Sequence, residues 1–167
     1  MKFHDLLMST LVSFCILGAS TGVVMASCGD GLLYNENFDG DLRIDSSNTD
    51  CTIISSTIAG DLILTNVNSV VLLNNKVGGR LRVNGNAKTG TATVVGNIVY
   101  GKNLVVREMA TATVAENEAL AGPIRVNQNI TARVLQNIAS GVVVCKENTS
   151  LIASGNISSG RVVRCGN

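Results

Sequence analysis

Apolar and polar residues alternate in short bursts along this chain, and the bursts return on a fixed beat. Gly40, Gly60, Gly79, Gly101, Gly122, Gly141 and Gly160 serve as zero points. Two positions after them stand Leu42, Leu62, Leu81, Ile124, Val143 and Val162. Four positions after them stand Ile44, Leu64, Val83, Val126 and Cys145, and one extra residue behind Gly101 moves this pair to Leu104 and Val106. Seven before each glycine lie Ile53, Leu72, Val94, Val134 and Ala153, and nine before lie Cys51, Val70, Ala92, Ala132 and Leu151; Val114 and Ala112 join them after a one-residue shift. A period of two puts each set on one face of a strand. Ile58, Val77, Val99, Leu120 and Ala139, two before the glycines, read as a third short inward element. No apolar period of 3.6 residues persists, so helices are not expected.

Self-similarity every 19 to 22 residues means one unit stacked many times. Three short strands per unit describe an all-β, single-domain parallel β-helix, a solenoid of about seven short coils rising about 4.8 Å each. Asn75, Asn97, Asn137 and Asn156, with Asn117 one residue further back, fall at one corner. Asn tolerates bends, and its amide can bond the coils on either side as a ladder. A second Asn corner is read at Asn66, Asn86, Asn129 and Asn148. The glycines are expected to supply backbone angles closed to other residues. Residues 27–39 lack a clean repeat and read as an N-terminal cap, and residues 40–167 as the repeats; caps protect strand edges at solenoid ends.

The start of the chain has a different character. Lys2, an apolar stretch from Leu6 to Met25 and the small-residue site Val24-Met25-Ala26 read as a secretory signal peptide over residues 1–26, with Ser27 the mature N-terminus. A retained membrane anchor is the alternative, but Ser9, Thr10, Ser13, Ser20 and Thr21 dilute the stretch, and no basic stop-transfer cluster follows. The expected location is extracellular, with no membrane association after cleavage. Cleavage would remove Cys15 and His4, the single histidine, leaving no imidazole for catalysis or metal binding. Cys28, Cys51, Cys145 and Cys165 would remain, an even count that argues for two disulfides in an exported chain. Of three connectivities, the repeat positions select Cys28–Cys51 at one end and Cys145–Cys165 at the other.

Charge is polarised although the net is only +1. Residues 28–61 carry seven acids against Arg43, and residues 62–167 carry eleven bases against four acids. Arg43, Arg80, Arg82, Lys102, Arg107, Arg125, Lys146 and Arg161 stand at outward positions of the first strand. Of these, Arg80, Arg82, Lys102, Arg107, Arg125, Lys146 and Arg161 form a candidate binding surface for an acidic cell-wall polysaccharide or an acidic host surface protein. The simpler reading is that they solvate an exposed sheet and discourage lateral pairing. Nucleic acid is not expected, because no aromatic platform accompanies the bases.

Other constellations carry less. Thr91-Ala92-Thr93, Thr111-Ala112-Thr113 and Thr131-Ala132-Arg133 resemble the Thr-x-Thr ladders of ice-binding β-helices, yet threonine is also simply a good strand residue. Asp41, Asp45 and Asp61 could converge on adjacent coils as in pectin-cleaving β-helix enzymes, sometimes with calcium. Short coils offer no loops to wall a cleft, so neither catalysis nor a cofactor is expected. Gly78-Gly79 and Gly85 lack the strand–loop–helix setting of a phosphate cradle. Sequons begin at Asn129, Asn148 and Asn156; the first two, read as corners, are the expected glycosylation sites in a eukaryotic host.

The coil pattern, clearest in GDLRI and GDLIL, resembles small secreted parallel β-helix proteins of filamentous fungi and similar microbes. Bactofilins are similar in coil length but are cytoplasmic polymers without leader or disulfides. The resemblance implies a non-enzymatic protein of the cell wall or host interface, of a class that includes apoplastic effectors and elicitors of host cell death. Polysaccharide cleavage and ice binding are the rival functions.

Overall fold

The computed structural model describes residues 22–25, 28, 31–45, 50–86, 88–159 and 164–165. They form a parallel β-solenoid with two disulfides near its ends. Each turn gives one strand to each of three sheets, of eight, seven and seven strands. The first sheet stacks Val24–Met25, Leu42–Asp45, Leu62–Val67, Leu81–Gly85, Leu104–Arg107, Ile124–Asn127, Val143–Lys146 and Arg164–Cys165. The second runs from Leu32–Tyr34 through Asp50–Ile54, Ser69–Leu73, Thr91–Val95, Thr111–Ala115 and Thr131–Leu135 to Ser150–Ser154. The third is a column of two-residue strands from Asn37–Phe38 to Ile157–Ser158. About six turns are complete, numbered here from Leu42 onwards.

The core is the set of inward side chains that the alternation marks. Leu42, Leu62, Leu81, Leu104, Ile124 and Val143 form one buried column, with Leu42↔Leu62↔Leu81↔Leu104↔Ile124↔Val143 in register. Ile53, Leu72, Val94, Val114 and Val134 form another. A narrow tube has room for aliphatic side chains stacked on their own kind, which is why aromatics are so few. Cys28 and Cys51 lie in that core, their Cα atoms 5.3 Å apart, and Cys145 is the in-register partner of Cys165. The bonds close sequence separations of 23 and 20 residues, stabilising each end by about 3 kcal/mol in the chain-entropy view.

Four details depart from the sequence reading. Ala119, not Leu120, takes the inward place in the third sheet opposite Val99, and Leu120 is 44% exposed. The extra residue of that turn lies after the short strand, so counting back from Gly122 lands one position late. Second, the described repeat glycines, Gly40 to Gly141, do not sit in the left-handed region; among described glycines only Gly31, Gly96 and Gly155 have positive φ. They are needed because the preceding turn's backbone lies where a β-carbon would go, as at Gly60, where it would meet Gly40 C at 2.7 Å. At this corner the left-handed angles fall instead on Asn35, Ser55, Asn74, Gly96, Glu116, Gln136 and Gly155, and from Ser55 onwards each stands just ahead of the corner residue that turns inward.

The other two departures concern the N-terminal end. Leu32–Tyr34 and Asn37–Phe38, in the segment read as a cap, pair in parallel with the first complete turn. Val24–Met25, inside the segment read as a leader, pairs with Leu42–Arg43. Cleavage after Ala26 would thus uncover an edge of the first sheet. Residues 1–21, Ala26 and Ser27 lie outside the described residues.

Candidate functional site

The outer face of the first sheet is built by register alone. One outward column reads Arg43, Ile63, Arg82, Val105, Arg125, Val144. The neighbouring column reads Asp45 and Thr65 in the first two turns and Asn84, Arg107, Asn127 and Lys146 in the next four. Within these two columns each turn from the third to the sixth presents one cation, and the cations alternate between columns: Arg82, Arg107, Arg125, Lys146. Aliphatic or carboxamide side chains fill the alternate squares. The sequence count places these residues on one face, and the strand register shows them as a checkerboard.

Asn84 organises the upper part. Its Oδ1 accepts from Arg82 Nε at 3.0 Å and from Arg107 Nε at 2.9 Å, drawing two guanidinium groups onto one neutral oxygen. The Arg82 pKa is lowered, first by burial and then by the positive charges of Arg107 and Arg80, with Glu108 opposing. A guanidinium stays charged after such a shift, so Arg82 remains a cation that is partly withdrawn from water and crowded by Arg107 and Arg80. Glu108 lies 3.6 Å from Arg107 Nε. Among the described residues, Arg80, Arg82, Arg125 and Lys146 have no carboxylate within ion-pair distance. Arg80 Nε and Asn103 Oδ1 are buried without a hydrogen-bond partner, just before the register pair Leu81 and Leu104. Lys102 is more exposed and faces Asp61 Oδ1 at 3.6 Å. Arg161 lies outside the described residues.

The acids of the first turns have scaffold partners. Asp41 Oδ1 accepts the Asp61 N–H at 2.8 Å, Asp61 Oδ1 accepts the Arg80 N–H at 2.7 Å, and Asp45 Oδ1 accepts from Asn66 Nδ2 at 2.9 Å. Among the described residues no three of His, Cys, Asp and Glu converge as metal ligands do. The Asp41 carboxyl is held below the ordinary carboxylate value, chiefly by the Asp61 N–H and then by Arg43, with burial opposing. Its folded-state pKa is the lower one, so its stabilisation is present above the unfolded value and lost as pH falls through the folded value. Asp41→Asn should therefore lose less stability than the parent on acidification. Urea midpoints at about pH 7 and about pH 3 test this; parallel shifts in both proteins would refute it.

Two other surfaces resolve differently from expectation. Thr91, Thr111 and Thr131 stack in register, as do Thr93 and Thr113, but Arg133 and Ile152 continue the second column. A full threonine pair thus spans two turns. The glycosylation expectation needs correction. Asn129 is completely buried, and its Nδ2 donates to Asn148 Oδ1 at 2.9 Å. Asn148 Nδ2 donates to Val126 O at 2.8 Å. Both amide nitrogens that would carry a glycan are committed inside the stack, as is Asn156 Nδ2 to Val134 O. The corner in these turns is made by left-handed Gln128 and Glu147 one residue earlier, which turns Asn129 and Asn148 inward.

Compared with family models, curated proteins and solved structures, the chain matches none.

Proposed function

We propose that this is a secreted, non-catalytic recognition protein of the cell wall or host interface, an apoplastic effector or elicitor, that holds an acidic partner on the outer face of its first sheet. The observation that carries this reading is the array Arg82, Arg107, Arg125 and Lys146, one cation per turn, three of them without an acidic partner among the described residues. Left alone, such an array repels itself across neighbouring turns. A bound polyanion would relieve that repulsion at several points at once. Two disulfides suit an oxidising compartment, and no helix among the described residues is long and apolar enough to cross a membrane. The effector role comes from the likeness in fold and cysteine plan to the secreted β-helix class.

Sedimentation with acidic and neutral wall polysaccharides over a salt series tests the surface. Retention on the acidic polymer should fall with salt, and the double reversal Arg107→Glu/Arg125→Glu should weaken it at least about tenfold at low salt. Equal retention on neutral polymer, or no salt dependence, would remove the basis of the reading. Cell death after infiltration of the protein into leaf tissue, reduced in the same double variant, tests the biological role.

A further inference from the structure

We propose that the ligand of this face is a linear polyuronate lying parallel to the solenoid axis, with successive carboxylates held by Arg82, Arg107, Arg125 and Lys146. The inference rests on the reading that the face takes an acidic partner, and it adds the ligand's chemistry and direction. Backbone hydrogen bonding fixes the axial step at about 4.8 Å per turn, and the two columns stand about 7 Å apart along the strand. The cations therefore form a zigzag, one per turn, with same-side charges about 10 Å apart. An extended 1,4-linked uronate chain has the same plan: one carboxylate per sugar, projecting alternately to opposite edges, with a sugar length close to one turn.

The squares between the cations favour a sugar over other polyanions. Val105 and Val144 are half-buried, flat and apolar, suited to the C–H face of a pyranose ring. Asn84 and Asn127 can offer their Nδ2 groups to sugar hydroxyls, their Oδ1 atoms already accepting from Arg82, Arg107 and the Lys146 N–H. A nucleic acid would call for aromatic stacking, and no aromatic stands in either column. An acidic peptide would gain most by adding a strand to a sheet edge, but this is a sheet face whose backbone is paired on both sides. Arginine supplies three of the four cations, and its fork matches a carboxylate as a lysine does not. Asn84 engages the Nε atoms of Arg82 and Arg107, leaving their terminal nitrogens to form that fork.

Calorimetric titration with oligogalacturonates of increasing length tests the proposal, with methyl-esterified oligomers and length-matched polyglutamate peptides as the other arms. Affinity should climb to a plateau near the number of sugars that spans four turns. The esterified oligomers and the peptides should bind at least about tenfold more weakly at equal length. Arg125→Gln should weaken uronate binding about tenfold with an unchanged urea midpoint, because Arg125 is exposed and has no ion pair among the described residues. Asn84→Asp should weaken it as well, by placing a carboxylate between Arg82 and Arg107. Polyglutamate binding as tight as uronate, without a length plateau, would overturn the polyuronate assignment and leave an unspecific acidic-partner face. Absence of salt-sensitive binding in every arm would overturn both.

Discussion

Asn117→Ala should destabilise the solenoid by about 3–5 kcal/mol, more than any truncation of similar size on the surface. The figure follows from what the side chain holds. Asn117 Oδ1 accepts both the backbone N–H and the Nδ2 of Asn97, each at 3.0 Å. Its own Nδ2 donates to Val94 O at 2.8 Å, to Ala115 O at 2.9 Å and to Asn137 Oδ1 at 3.0 Å. The site is buried, so water cannot replace these partners in the folded state. Ala115 O keeps the Gly96 N–H, but the Asn97 N–H loses its acceptor. A buried group left unpaired costs about 1–3 kcal/mol, and the vacated volume adds a cavity term. Asn86→Ala is the control: an exposed corner outside the left-handed region, with no side-chain hydrogen bond among the described residues, it should cost below about 1 kcal/mol. Urea midpoints at fixed m-value measure both. A loss below about 1 kcal/mol for Asn117→Ala would show that the ladder decorates the fold rather than holding it.

The ladder also shows how far the sequence could be read. An inward strand position repeats a residue class at period two, so Leu42 through Val143 declare themselves without coordinates. Asn75, Asn97, Asn117 and Asn137 do so too, because one residue type recurs. Ser56 was invisible: it begins the same ladder, with its N–H donating to Asn75 Oδ1 and its Oγ accepting the Glu36 N–H, yet a hydroxyl there breaks the Asn pattern. Met109 was missed for a related reason. It shares an inward corner position with Asn129, whose Oδ1 accepts the Met109 N–H, so the column mixes apolar and polar residues. The left-handed corner is equally silent, since Asn, Ser, Gly, Glu and Gln all occupy it. On the surface, the alternation of cations between columns is implicit in the sequence: Arg82 and Arg125 fall between the two inward residues of their strands, and Arg107 and Lys146 just after the second. What the sequence does not give is the Asn84 bridge between Arg82 and Arg107, which depends on side-chain geometry.

Gly122→Ala should cost about 3 kcal/mol or more, and the comparison with Gly96→Asn separates two reasons for glycine in one repeat. Gly122 is buried at a backbone angle open to any residue, but a β-carbon there would meet the carbonyl of Lys102, with Lys102 C at 2.8 Å and Asn103 N at 3.3 Å. These are backbone atoms of the neighbouring turn, and they cannot step aside as a side chain could. To admit the methyl, the turns must separate. That strains the Leu104 N–H bond to Pro123 O, at 3.1 Å, which joins the same two turns. Overpacking of this kind costs about 1–3 kcal/mol in an ordinary core, and here the hydrogen-bonded stack adds to it. Gly96 is different: its φ is +68°, and the nearest atom to an added β-carbon is the side-chain oxygen of Asn74. Asn35 and Asn74 already hold the equivalent corners at φ of 56° and 55°. Gly96→Asn should therefore cost less than about 1 kcal/mol, because Asn enters the left-handed region readily. Equal losses at the two positions, read as urea midpoints, would mean that backbone angle and not the approach of successive turns selects the repeat glycines.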